Sequence, residues 1–183
     1  GIASNAGRPT ARGTPTRWCL RAAAGNIPGS SRYKCAIGYV GVYDLNIMHG
    51  VGDVSRSRAG QKYLDAALGT DPADRAARSS TPNVAKIKAP VFLVHGMQDD
   101  RAHFQHYVEM RDALKKRNHR FETLLVPRAG HGARDLASVR EISCRMIDFF
   151  DRHIGEKKPT DAPDDCQFPG SKKLPYEYFE GSR

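Results

Sequence analysis

The chain has 183 residues and a formal net charge of +9, with 39% hydrophobic and 27% charged residues. This length suits one domain with a hydrophobic core and is short for two. No apolar run approaches the roughly 20 residues of a membrane span, so we expect no membrane partner. The first residues show no signal-peptide pattern, and the sequence leaves the compartment undetermined.

The positive charge is concentrated at one end of the chain. Residues 1–32 contain five arginines and no acidic residue, so they supply 5 of the 9 net charges. The remaining charge is spread among mixed signs, without the basic and aromatic alternation that binds nucleic acid. We therefore expect no nucleic-acid partner, and a basic binding module remains the weaker alternative.

The four cysteines are Cys19, Cys35, Cys144 and Cys166. They form no C-x-x-C pair, so we expect no zinc site. His103-x-x-His106 alone is a weak metal motif, and we expect no metal and no cofactor. Cys35 and Cys144 lie in apolar segments, which favours free buried thiols.

Hydrophobic patterning divides the chain into three regions. Residues 1–32 are rich in Gly, Ala, Arg, Pro and Thr without a sustained period. Residues 33–155 alternate short apolar runs with helical patterns, and residues 156–183 contain four prolines and predict an extended tail.

The middle region predicts strands alternating with amphipathic helices. Strands and their exits are predicted at 33–43, 90–96 and 121–127, and helices at 104–116 and 136–155. Strand, helix, strand and helix joined by short connections predict the α/β class, with a parallel sheet, flanking helices and right-handed crossovers.

Two residues of catalytic type follow neighbouring strands. Asp99 comes after the strand ending at Gly96, and His131 stands between Gly130 and Gly132 after the next strand. Chemistry in open α/β sheets lies beyond the carboxyl ends of the strands. An acid and a histidine there suit the last two members of a Ser-His-Asp triad.

These segments resemble the prolyl oligopeptidase and dipeptidyl peptidase family of serine peptidases. The similar stretches are Lys-Ile-Lys-Ala-Pro-Val-Phe-Leu-Val-His-Gly at 86–96, Asp-Asp at 99–100, His-Phe-Gln at 103–105 and Gly-His-Gly at 130–132. The resemblance runs from about residue 33 to 155 and implies the C-terminal part of a catalytic domain, a partial α/β-hydrolase fold. It also implies Asp99 as triad acid, His131 as triad base, and a peptide substrate for the intact enzyme.

Several neighbouring residues are alternatives to this assignment. Asp100 competes with Asp99 for the acid role. His95 closes a buried strand and is interpreted as a core histidine, while His103 and His106 are interpreted as structural or exposed. Arg101 and Arg128 are expected to be solvated.

The family's nucleophile motif is missing. A Gly-x-Ser-x-Gly elbow exposes the serine in this fold, and no such pattern occurs in the 183 residues. Ser4 lacks a glycine two residues before and two residues after it, and Ser30 and Ser31 lie in Pro-Gly-Ser-Ser-Arg, a turn by composition. We therefore expect this chain to be inactive alone. Residues 1–32 have two interpretations: a segment translated in a shifted reading frame, or a divergent N-terminus.

Two further alternatives for function stay open. Fold and triad do not determine which bond is cleaved, so an esterase or lipase of the same fold is the rival within the enzyme class. A non-catalytic remnant is the rival outside it.

Overall fold

The computed structural model describes residues 33–158, 161, 163, 166, 170 and 173–181, and the backbone of 18–22. In this part of the chain, two 3-10 helices cover Val54–Arg56 and Val84–Lys86. The strands and α-helices follow in chain order: β1 Trp18–Ala22, β2 Tyr33–Tyr39, α1 Leu45–Gly50, α2 Arg58–Leu68, α3 Pro72–Ala77, β3 Val91–Gly96, α4 Gln105–Lys116, β4 Phe121–Val126, α5 Leu136–Ile154 and β5 Tyr176–Phe179.

The strands form one sheet in the order β1-β2-β3-β4-β5. The first four are parallel, and β5 runs antiparallel to β4. The predicted α/β class is confirmed, as are three strands and two helices of the middle region. The sheet is mixed rather than purely parallel because β5 returns along the outer edge of β4.

Two strands lie where the sequence predicted none. β1 falls within residues 1–32, and β5 falls within the proline-containing tail. Both are short, at five and four residues, so neither supplies a recognisable alternation. The other residues of 1–32, among them Ser4, Ser30 and Ser31, lie outside the described residues. The interpretation of this segment as frame-shifted therefore falls outside them as well.

Both faces of the central strands are buried. Successive side chains of a strand point to opposite faces, so Phe92 and Val94 pack on the α5 side with Phe149. Val91 and Leu93 pack on the α4 side. A continuous apolar run, rather than an alternating one, is what a parallel strand covered on both faces requires.

Cys35 and Cys144 are both disulfide-bonded, so the prediction that they are free thiols is wrong. Cys144 of α5 forms a disulfide with Cys166, 22 residues later. Cys35 in the core is disulfide-bonded as well. Four scattered cysteines allow three pairings, and spacing alone cannot select among them or exclude them all.

A buried ionic cluster joins β4, α5 and β5. The Arg152 guanidinium donates two hydrogen bonds of 2.8 Å to Glu122 and one of 2.9 Å to Asp148. The hydroxyl of Tyr176 donates to Glu122 at 2.7 Å. Each buried carboxylate is thereby paired, as burial of charge demands.

No helix in the described residues has both the length and the apolar character needed to cross a membrane.

Candidate acid–base site

Asp99 is fixed in the loop that follows β3. Its Oδ1 accepts hydrogen bonds from the backbone N–H groups of Arg101 and Ala102, each 2.9 Å long. The side chain is completely buried. These two bonds leave Oδ2 to interact with a partner from another loop.

That partner is His131, in the loop that follows β4. Its Nδ1 lies 3.0 Å from Asp99 Oδ2 and 3.3 Å from Oδ1. This agrees with the separation of at most about 3.5 Å expected for triad partners. The His131 side chain is 48% exposed, so a buried acid holds a solvent-accessible imidazole. Donation from Nδ1–H leaves Nε2 with its lone pair.

Close backbone approach brings the two loops together. A Cβ built on Gly96 would lie 2.2 Å from the carbonyl oxygen of Gly130 and 2.4 Å from that of Ala129. The backbone N–H of Gln98 donates to Ala129 O at 2.9 Å. Position 96 therefore has no room for a side chain larger than that of glycine. The strand that positions Asp99 also supports the loop that carries His131.

The two glycines beside His131 have different roles. Gly132 has a φ of +106°, which side chains rarely adopt. Gly130 has no positive φ, and a Cβ there would meet only an ordinary contact of 3.5 Å with Gln98 O. Of the two, only Gly132 requires glycine for its conformation.

Asp100 points away to the surface. It forms a two-pronged ion pair with Arg56, with distances of 3.0 and 3.2 Å. The hydrogen bond and charge of Arg56 lower the pKa of Asp100. Arg101 pairs with Asp53 at 2.7 Å. Of the two adjacent acids, Asp99 is the one that contacts His131.

The other nearby histidines are buried behind the acid. His95 Nε2 lies 2.8 Å from Ala102 O and 3.6 Å from Asp99 Oδ2. Burial lowers the pKa of His95, and it lowers the pKa of His106 to about 4. His106 is completely buried and His103 is half-buried. Neutral buried rings of this kind support the loop, and the described residues contain no cluster of three or more metal-ligating side chains.

Two cavities open beside His131. One of about 420 Å³ is lined by Arg128, Arg134 and Asp135, among others. The other, of about 410 Å³, is lined by Gln98, Asp100 and Arg134, among others. Both include His131 itself, so the imidazole is accessible from two sides.

Tyr39 is a site residue that sequence reasoning missed. Its hydroxyl accepts a hydrogen bond of 3.1 Å from the backbone N–H of Ala133, two residues after His131. Its position at the carboxyl end of a predicted strand was the available signal, since the chemistry of this sheet lies at that edge.

Residues 20–157 match the model of the prolyl oligopeptidase family. A search of curated protein sequences found no match. Among solved structures, a puromycin-hydrolyzing peptidase of Mycobacterium tuberculosis aligns over 78% of this chain and 22% of its own, with a TM-score of 0.69 and 20% identity. An acylaminoacyl peptidase of Pyrococcus horikoshii aligns over 84% of this chain and 26% of its own, with a TM-score of 0.67 and 17% identity.

A third similar structure is an acetyl ester-xyloside bifunctional hydrolase from Caldicellulosiruptor lactoaceticus. It aligns over 66% of this chain and 42% of its own, with a TM-score of 0.51 and 27% identity. The chain thus spans about a quarter of the length of the two peptidases and under half of this hydrolase.

Proposed function

Because the chain belongs to the prolyl oligopeptidase family, we propose that it is the C-terminal part of a serine-peptidase catalytic domain whose intact form hydrolyses oligopeptides. The observation that carries the proposal is the 3.0 Å contact between the buried Asp99 carboxylate and the half-exposed His131 ring. The family match supports it, since residues 20–157 include both side chains.

In this proposal His131 is the general base and then the general acid. Its Nε2 takes the proton of a serine hydroxyl as that oxygen attacks the scissile carbonyl, and later returns the proton to the leaving amine. Asp99 stays ionised, orients the ring through Nδ1–H and stabilises the imidazolium. The two backbone bonds to its Oδ1 keep Asp99 in place throughout.

The serine and the oxyanion hole are not supplied by a recognisable motif of this chain. No Gly-x-Ser-x-Gly occurs in its 183 residues. An acid and a base without a nucleophile cannot perform acyl transfer, and loss of the nucleophile typically costs on the order of a million-fold in turnover. We therefore propose that the chain alone is inactive and depends on sequence of the intact enzyme.

An ester hydrolase is the second candidate function. The 27% identity to the acetyl ester-xyloside hydrolase favours it, because an acid and base at this edge suit either bond. A non-catalytic remnant is the third interpretation. It also predicts that this chain is inactive.

The first test uses a fluorophosphonate probe, which labels activated serines. We expect no labelling of the 183-residue chain. Stoichiometric labelling that disappears in the His131→Ala variant would show that an activated serine exists in this chain and would contradict the proposal.

The second test concerns the intact enzyme. The coding DNA upstream of Tyr33 is read in all three frames, and the longest product containing a Gly-x-Ser-x-Gly motif is expressed. We expect labelling and peptide hydrolysis that Asp99→Asn and His131→Ala abolish, while the matched variant Asp100→Asn retains them. Hydrolysis of acetyl esters but not of peptides would favour the second candidate, and equal effects of Asp99→Asn and Asp100→Asn would contradict the assignment of Asp99.

A further inference from the structure

The loop carrying His131 is held by hydrogen bonds on both sides of the histidine. Upstream, the carbonyl of Ala129 accepts the backbone N–H of Gln98 at 2.9 Å. Downstream, the backbone N–H of Ala133 donates to the Tyr39 hydroxyl at 3.1 Å. His131 lies midway, two residues from each anchor. The upstream anchor is backbone to backbone, whereas the downstream anchor depends on one side chain.

That side chain reaches across an intervening strand. Tyr39 ends β2 and lies opposite Val94 of β3, which in turn lies opposite Leu124 of β4. Neighbouring strands are about 4.8 Å apart, so β2 and β4 are separated by roughly 10 Å. Only a long side chain spans that distance to the segment that follows β4. The Tyr39 ring and Ala133 both pack against the same core cluster, which sets the direction of the phenol.

The backbone beside the histidine consists of glycines, which restrict its conformation little. Gly132 has a φ of +106°, and a Cβ built on it would lie 3.3 Å from the Tyr39 hydroxyl oxygen. Glycines on both sides of His131 permit many backbone conformations. The next fixed point along the chain is Asp135, the N-cap of α5, whose carboxylate accepts a hydrogen bond from the Ser138 N–H. Within the segment between Ala129 and Asp135, the Gly132 N–H donates to Gly130 O at 2.8 Å, so this bond ties the loop only to itself. The Tyr39 bond ties the loop to β2 instead.

We propose that Tyr39 is a positioning residue for the acid–base pair: its hydroxyl holds Ala133 so that the His131 ring stays within hydrogen-bonding distance of Asp99. The inference rests on the proposed function, because a positioned base matters only where His131 acts as one. The Tyr39 hydroxyl bonds to the backbone of Ala133 and not to the His131 ring. Its effect on chemistry passes through the geometry of the His131 ring.

The test measures the Nδ1 proton of His131 in the full chain by proton NMR with histidine labelled with nitrogen-15. An imidazole N–H donated to a carboxylate gives a far-downfield signal. The Asp99→Asn variant assigns the signal by abolishing it. In Tyr39→Phe we expect the signal to weaken severalfold while the thermal unfolding transition stays cooperative. The matched control is Tyr63→Phe, a tyrosine that is 64% exposed, in which the signal should be unchanged.

The outcomes separate this inference from the proposed function. If the wild-type chain shows no such signal, the Asp99–His131 pair fails, and the proposed function with it. If the wild-type signal persists at full strength in Tyr39→Phe, the positioning role alone is overturned. Should Tyr39→Phe not fold, amide exchange in the wild-type chain decides: an Ala133 N–H as protected as that of Gln98 supports the anchor, and rapid exchange overturns it.

Discussion

Two buried histidines should make this chain sensitive to mild acid. Burial lowers the pKa of His106 to about 4, with a smaller contribution from the charges of His95 and His103. Burial also lowers the pKa of His153 to about 4, aided by Arg120 and Arg152 and opposed by Asp148. An unfolded chain binds these protons near pH 6.5. Acidification therefore protonates the unfolded state first.

The linkage between proton binding and folding gives the direction and the size of the change in unfolding free energy. Well above pH 6.5 the histidines are neutral in both states and have no effect on stability. Between pH 6.5 and 4 the unfolded chain binds more protons, which lowers its free energy relative to the folded chain. Between pH 7.5 and 5 the free energy of unfolding should fall by about 2 kcal/mol for each histidine. The two together remove about 4 kcal/mol, a large share of the roughly 5–15 kcal/mol of an ordinary domain.

Urea unfolding between pH 5 and 7.5 measures this fall in the free energy of unfolding. Ordinary carboxylates stay ionised in this range, because it lies above their pKa values. His106→Gln and His153→Gln should each flatten the pH dependence by about 2 kcal/mol. His49→Gln is the control, since the His49 ring lies outside the core and contacts Asp65 at 2.8 Å. If the variants lose as much stability between pH 7.5 and 5 as the wild-type chain, desolvation of these rings does not govern the acid response.

Two substitutions test the packing that supports the site. Arg152→Met leaves the buried Glu122 without its cation, while Asp148 keeps its pairing with Lys157, and the change should cost about 3–5 kcal/mol of unfolding free energy. Adding Glu122→Gln should recover part of this loss, and fully additive losses would contradict the buried pairing. Gly96→Ala should abolish the Nδ1 proton signal of His131, because its Cβ would lie 2.2 Å from Gly130 O. Gly50→Ala, where a Cβ meets nothing within 4 Å, is the matched control, and equal signals in the two variants would refute the close approach of the loops.

The sequence predicted those parts of the fold whose burial pattern is local. β3 begins with four apolar residues in a row because both faces of the strand are covered, and this run marks it as a central strand. α5 has a regular apolar stripe and ends at Gly155. β5 could not be found in this way, since its four residues are half-buried and owe their pairing to β4 and to contacts that are distant in sequence.

For the candidate site, the sequence predicts which residues come close together at the sheet edge, but not every contact between them. Asp99 and His131 follow adjacent strands, so the rule that strand ends meet at one edge places them together. Choosing Asp99 over Asp100 by position agrees with the contacts, because Arg56, 44 residues earlier, draws Asp100 to the surface. The position of Tyr39 at the strand end suggests a place near the site, but its bond to Ala133, 94 residues later in the chain, could not be predicted. A contact between residues so far apart in the chain leaves no local pattern in the sequence.

The disulfide between α5 and the tail also controls where β5 can go. Cys166 precedes Tyr176 by ten residues, so the covalent bond confines β5 near β4 at a high effective concentration. A strand of four residues pairs weakly when it must diffuse to its partner. It occupies the edge of β4, where exposed backbone groups would otherwise recruit a strand from another chain. The intact disulfide therefore favours pairing of this edge within the molecule over pairing with a strand of another chain.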